Sequence, residues 1–174
     1  MGNCTNNYVF KALDSYPYDL EETMEALNYA LSYDPKNTMA LTLMGRVYSE
    51  KLYNYSESIS YFKEVLAAKI DAFEVYDHYI NALLWNEDMR EAENFIDFAL
   101  TIKGSDKAVL YLKKATLYEQ LKDYKKALKY LKLAKEHTLN AEFSETVNEQ
   151  KQRVKRKVAK KKKSKVTKKG KKNT

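Results

Sequence analysis

Asp123-Tyr124-Lys125-Lys126-Ala127-Leu128-Lys129-Tyr130-Leu131 is the stretch that decides the fold. An acidic residue, a small one four positions on and a large apolar one four further are spaced as one face of a helix. The same pattern recurs every 34 or 35 residues towards the N-terminus. Asp19, Asn54 and Asp88 lead to Asp123; Thr23, Ser58 and Ala92 lead to Ala127. Leu27, Phe62 and Ile96 lead to Leu131, and Ala30, Val65 and Ala99 lead to Ala134. Four series in one register mark an internal repeat. A period in this range belongs to stacked helix pairs, none of which can bury its apolar face without a neighbour.

Working outward, the second block shows both helices of such a pair. Leu41, Met44, Val47 and Tyr48 fall at helical spacing, a turn follows at Tyr53 and Asn54, and Ile59, Phe62, Val65 and Leu66 make the partner stripe. In the fourth block Leu110, Tyr111, Ala115 and Tyr118 precede Tyr124, Ala127, Leu128, Leu131 and Ala134. The small residues let helix backbones approach, so a large side chain at Ala92 or Ala127 should overpack. Asp19 with Glu22 forms a capping-box-like start, Asp34-Pro35 a stop, and Gly104-Ser105 a stop followed by a start. One more residue separates Gly45 from Asn54 than Ala115 from Asp123, which predicts a longer turn in the second block. A last helix from about Asn140 carries Phe143, Val147, Val154 and Val158 on one face and is read as the capping helix that an exposed repeat end needs. The expected organisation is four helix pairs over 1–139, a capping helix grading into a basic segment over 140–163, and a disordered Lys-rich tail over 164–174.

Composition agrees. Among 174 residues only 4 are glycine and 2 proline, which leaves little turn chemistry for hairpins, while 44% hydrophobic residues and 15 tyrosines suffice for an all-helical core. The one cysteine, Cys4, excludes an internal disulfide and suits a reducing compartment; no apolar run reaches the length of a membrane span. A cytoplasmic location is expected. The start Met1-Gly2-Asn3-Cys4-Thr5-Asn6 departs from an N-myristoylation signal at Asn6, where Ser or Thr belongs, and a frayed start is the preferred reading over acylation of Gly2. Charge is unevenly placed: residues 1–150 hold 17 basic and 24 acidic residues, whereas 151–174 hold 14 basic and none acidic. The body and the tail therefore need separate arguments.

The motifs resemble tetratricopeptide repeats. The likeness rests on Leu43-Met44-Gly45-Arg46-Val47-Tyr48, on Asn54-Tyr55 through Phe62, on the quoted Asp123–Leu131 stretch, and on Ala99-Leu100 and Ala30-Leu31-Ser32-Tyr33-Asp34-Pro35 at helix ends. It covers roughly residues 5–138, departing from the pattern at Ile80 and Met89 and in the first helix, about Asn6 to Ser15. The resemblance implies an all-α, right-handed superhelical solenoid whose concave groove holds an extended peptide or a partner's helix. It also implies groove-facing positions: Thr42, Arg46 and Ser49 in the second pair, Asp77, Asn81 and Trp85 in the third, Leu112, Thr116 and Glu119 in the fourth. The subfamily that clamps chaperone-tail carboxylates uses Lys and Asn where this chain has Thr42, Arg46, His78, Val109 and Lys113, and only Lys113 fits.

No chemistry is expected. Neither His78 nor His137 has a carboxylate or cysteine at metal-ligand helical spacing that repeats into a set, and there is no phosphate loop, nucleophile elbow or paired-acid motif. A non-enzymatic interaction scaffold without metal or cofactor is the first reading, its protein partner unidentified and its oligomeric state open. Tyr48, Tyr118 and Tyr130 fall on core positions, so the tyrosines are read as packing rather than as a base-stacking platform. The second reading is a polyanion contact, nucleic acid or anionic membrane surface, through Lys160, Lys161, Lys162, Lys163, Lys165, Lys168, Lys169, Lys171 and Lys172. Set against it is a merely solubilising tail. Trp85 is weighed between a binding anchor and a packed helix end.

Overall fold

The computed structural model describes the backbone of residues 2–170 and the side chains of 7–160. Its helices are α1 (Gly2–Ser15), α2 (Leu20–Tyr33), α3 (Thr38–Glu50), α4 (Tyr55–Ala68), α5 (Phe73–Trp85), α6 (Met89–Ala99), α7 (Lys107–Gln120), α8 (Tyr124–Glu136) and α9 (Ala141–Gly170). The fold is all-α, and no strand occurs among the described residues. The chain divides into two compact units at a boundary within α6, one ending at Glu91 and the other beginning at Ala92. In the first, α1 pairs with α2, α3 with α4 and α4 with α5, and the first helices α1, α3 and α5 also touch. In the second, α7 pairs with α8, and α9 packs on α8.

The repeat series is the core. Leu27, Phe62, Ile96 and Leu131 are fully buried, as are Thr23, Ser58, Ala92 and Ala127, and Ala30, Val65, Ala99 and Ala134. Thr23 donates its hydroxyl to the Asp19 carbonyl at 2.5 Å, whereas the buried Ser58 hydroxyl finds no partner. An unpaired buried hydroxyl costs about 1–3 kcal/mol, so Ser58→Ala should raise stability by about 1 kcal/mol in urea unfolding, the residue type already standing at positions 92 and 127. A drop in midpoint would show that the hydroxyl is needed. Close approach is sharpest at Gly45: a Cβ there would lie 2.5 Å from the ring of Phe62, on the facing helix of the pair.

The leading residue of three of the four blocks caps a helix. Asp19, Asn54 and Asp123 accept hydrogen bonds from the backbone N–H of Glu22, Glu57 and Lys126 at 2.9, 3.2 and 3.1 Å. Asn37 and Asp106 do the same for α3 and α7, and Asn140 accepts from the Phe143 N–H at the start of α9. Only half of the expected capping box forms, because the Glu22 side chain takes the Ser15 hydroxyl and the Lys11 ammonium instead of the cap backbone. Likewise Asp106, not Ser105, caps α7; Ser105 bonds back to the Ile102 carbonyl. In the turns before α4, α6 and α8, Tyr53, Glu87 and Lys122 take a left-handed φ of 53, 62 and 60°. Glycine is the usual residue for that conformation, so the chain makes these turns without spending one. The second-block turn is one residue longer: Asn54 N–H reaches back six residues to Tyr48, while Asp88 and Asp123 reach back five.

α9 continues to Gly170, past the Lys163 boundary where the sequence suggested order would end. Residues 171–174 of the expected disordered tail lie outside the described residues. So do the side chains of 161–174, and with them all the tail lysines except Lys160, which is exposed. Cys4 and Gly2 fall outside the described side chains as well.

Candidate functional site

In the first unit, Thr42 and Arg46 of α3 share a cavity with Leu13 of α1, Thr38, Met39 and Leu43 of α3, and Glu74 of α5. The floor is apolar and partly open, since Leu13 and Met39 are 39% and 52% exposed. Arg46 stands at the boundary between this floor and a polar network. Its Nε donates to Glu50 Oε1 at 3.2 Å, and its guanidinium lies 4.9 Å from the Tyr16 ring centre. Glu50 also accepts from the Tyr16 hydroxyl at 2.5 Å, and His78 Nδ1 lies 3.3 Å from its Oε1. Burial pushes the Glu50 carboxyl up, but Tyr16, Arg46 and His78 outweigh it and hold it below the usual carboxylate range. Burial and the neighbouring carboxylate push the Tyr16 phenol up to about 12. One half-buried acid on α3 thus ties His78 of α5 and Tyr16, in the turn after α1, to Arg46 and holds the arginine beside the cavity.

The other expected positions of this unit differ from these two. Ser49 is buried, with its hydroxyl 3.2 Å from the Arg46 carbonyl. Asp77 and Asn81 bond to each other at 3.0 Å along one face of α5. Trp85, the last residue of α5, is half-exposed, and its ring lies 5.5 Å from that of Tyr55 of α4, tilted by 43°.

In the second unit α9 reaches the inner positions of α7. Gln150 Nε2 donates to the Thr116 hydroxyl at 3.0 Å and to Glu119 Oε2 at 3.1 Å. Arg153 closes a two-point pair on Glu119, Nε to Oε1 at 3.0 Å and NH2 to Oε2 at 2.9 Å, and Lys157 Nζ lies 2.7 Å from Oε1. Glu119 is itself buried. Burial pushes its carboxyl up, yet Arg153, Lys157 and Gln150 together hold it down at about 2. Leu112 is half-buried, and its carbonyl accepts the Thr116 hydroxyl. On α7's other flank Tyr118 donates to Glu93, Lys114 pairs with Asp97, and the Tyr118 and Tyr130 rings stack at 5.4 Å. Burial and Glu93 push the Tyr118 phenol up.

Sequence reading missed Glu50 and Gln150. Glu50 has no periodic partner, so nothing in one chain position marks it. Gln150 did leave a signal: it stands in the gap of the stripe Phe143, Val147, Val154, Val158, and Arg153 and Lys157 follow at three and seven residues. A polar residue inside an apolar stripe asks for a buried partner. Among the described residues no group of His, Cys, Asp and Glu could hold a metal ion, and no helix is long and apolar enough to cross a membrane.

No family model and no curated relative matches the sequence. Solved structures match the fold. PilW, described as a widely conserved type IV pilus biogenesis factor, aligns at 21% identity over 78% of this chain and 62% of its own, with a TM-score of 0.66. The chain therefore spans less than two thirds of PilW. PilF of Pseudomonas aeruginosa aligns at 16% identity over 90% of this chain and 69% of its own, with a TM-score of 0.73. MamA of Desulfovibrio magneticus RS-1 aligns at 15% over 94% and 98%, with a TM-score of 0.69. At these identities the likeness is one of fold: a tetratricopeptide-type helical solenoid.

Proposed function

We propose that this tetratricopeptide-type solenoid is a non-enzymatic adaptor that holds a peptide or partner helix against α1, α3 and α5. One observation supports it most: an open apolar floor of Leu13, Met39 and Leu43 lies beside an arginine already held in place by Glu50 and Tyr16. A pre-positioned cation next to a half-open apolar cavity favours a segment that offers a large apolar side chain and an adjacent hydrogen-bond acceptor, with little ordering cost on the protein side. Thr42 and Arg46 are the proposed central contacts, with Ser49 beneath them and Asp77, Asn81 and Trp85 along the same helix series. In the fourth pair α9 already engages Thr116 and Glu119, so the proposed groove is centred on the first unit. The single cysteine fits a cytoplasmic setting.

Burying one large apolar side chain contributes about 1.5–3 kcal/mol, which is roughly ten- to hundredfold in affinity. Peptides selected from a random library on the full chain should lose at least about tenfold in affinity to Met39→Asp and to Arg46→Glu. They should bind Glu64→Lys, an exposed change on α4, as they bind the parent. Selected peptides that ignore Met39 and Arg46 would place the binding surface elsewhere.

A second reading, polyanion contact through the Lys-rich end, is favoured by α9 running unbroken to Gly170 with the lysine run on it.

A further inference from the structure

The two structural units carry opposite net charge, nearly all of the second unit's excess lying in residues 151–174. Residues 1–91 hold seven basic and fifteen acidic residues, a balance of −8; residues 92–174 hold 24 basic and nine acidic, a balance of +15. Within the second unit the acids are committed to internal partners or lie at the far end of α9. Glu93 takes the Tyr118 hydroxyl, Asp97 takes Lys114, and Asp106 and Asp123 cap α7 and α8. Glu119 is enclosed by Arg153, Lys157 and Gln150, and Glu136 takes Lys132. Glu142, Glu145 and Glu149 occupy the first turns of α9.

Two contacts fix how α8 and α9 lie together. Lys135, in the last turn of α8, reaches Asn148 near the start of α9 at 3.1 Å. Glu119, four residues before the Asp123 cap of α8, meets Arg153 and Lys157 further along α9. The helices therefore run antiparallel, and the first turn of α8 lies beside residues 153–160. At that end Lys122, Lys125, Lys155, Arg156 and Lys160 are all exposed, and the nearby carboxylates Glu119 and Asp123 are already engaged. The lysine run of the sequence continues directly from this cluster at 161.

We propose that the end of the second unit formed by Lys122, Lys125, Lys155, Arg156 and Lys160 binds the phosphate backbone of nucleic acid. It rests on the polyanion reading and extends it from the tail onto the folded body. Nucleic acid is favoured over a lipid surface because a helix lying on a membrane needs an apolar side, and α9 turns Val147 and Val154 inward. Over 151–160 its exposed residues are charged, Gln152 or Ala159. Tyr124, the aromatic residue between Lys122 and Lys125, is half-buried rather than exposed, so bases are not read, and binding is independent of sequence and steep in salt. Each phosphate contact contributes about −0.9 to the slope of log K against log salt on duplex DNA, and about −0.7 on a single strand.

The test uses the full chain with a 20-bp mixed-sequence duplex and a 30-nucleotide oligouridylate, read by fluorescence anisotropy between 50 and 300 mM KCl. Replacing Lys122, Lys125, Lys155 and Arg156 together by Ala should weaken binding at least tenfold at 50 mM KCl, with helical circular dichroism unchanged. It should also flatten the duplex slope by about 3–4. A second full-length variant carries Gln at Lys161, Lys162, Lys163 and Lys165. If only this variant loses binding and the body variant matches the parent in affinity and slope, the tail reading stands and the body surface is overturned. No binding by the parent at 50 mM KCl overturns both. Retention on vesicles of 30% phosphatidylserine at 150 mM KCl, where the oligonucleotides have dissociated, overturns the choice of nucleic acid.

Discussion

Phe62→Ala is expected to lower stability by about 3–5 kcal/mol, the largest single effect of any substitution in the first unit. The ring is fully buried and lies against the Gly45 backbone, 6.2 Å from the His78 ring and 6.4 Å from that of Tyr79. Its removal leaves a void that three helices must close together, and tight helix packing relaxes only partly. The same contact makes a second, opposite expectation at Gly45. A methyl group there would sit 2.5 Å from the ring, so Gly45→Ala should cost about 1–3 kcal/mol by overpacking. Because one ring is responsible for both, the two changes should not add: Gly45→Ala in a Phe62→Leu background should cost less than it does alone. Urea unfolding of the four proteins of this cycle measures the coupling, and strict additivity would show that the ring is not what forbids the methyl.

The second large effect is acid sensitivity of the α7–α9 contact. The Glu119 carboxyl, ordinarily 4.5, is held at about 2 in the folded protein, so it contributes on the order of 3 kcal/mol when ionised. The folded value lies below the unfolded one. The contribution is therefore complete above the unfolded value of 4.5 and is lost as pH falls towards 2. Glu119→Gln removes the ionisation while keeping the shape. At pH 6 the parent should exceed this variant by about 2–3 kcal/mol in urea unfolding, and near pH 2 the gap should shrink below about 1 kcal/mol. A gap independent of pH would mean that Arg153 and Lys157 act through packing rather than charge. Glu22, Glu50 and Glu91 are also held low, so acid weakens parent and variant alike elsewhere, and only the difference between them reports Glu119.

These expectations separate what one chain's sequence reveals from what it hides. The series led by Asp19, Leu27 and Ala30 was readable because burial and capping impose a strict period on residue type. Every member of its apolar and small columns proved buried, and three of its four leading residues proved to be caps. The cavity beside Arg46 was legible only in part. Arg46 and Thr42 do line the cavity, but which acid would hold Arg46 depends on where α1 and α5 place Tyr16 and His78 relative to Glu50. Those residues lie 34 and 28 positions away from Glu50, with no motif to join them. Glu119 has contacts that the sequence did not announce. The resemblance suggested a contact for a partner there, whereas Arg153 and Lys157 of α9 in the same chain pair with it.

The gap in the α9 stripe has one more consequence. Gln150 stands between Val147 and Val154, and its amide is satisfied only opposite Thr116 and Glu119. Sliding α9 by a single turn, about 5.4 Å, would bring a valine to the buried carboxylate and press the amide against hydrocarbon. Valines alone would tolerate several alignments; the glutamine admits one. The helix is thereby indexed, like a pin in a ratchet. The thirteen residues from Val158 to Gly170 begin at a set distance from α7, about 20 Å of calibrated reach.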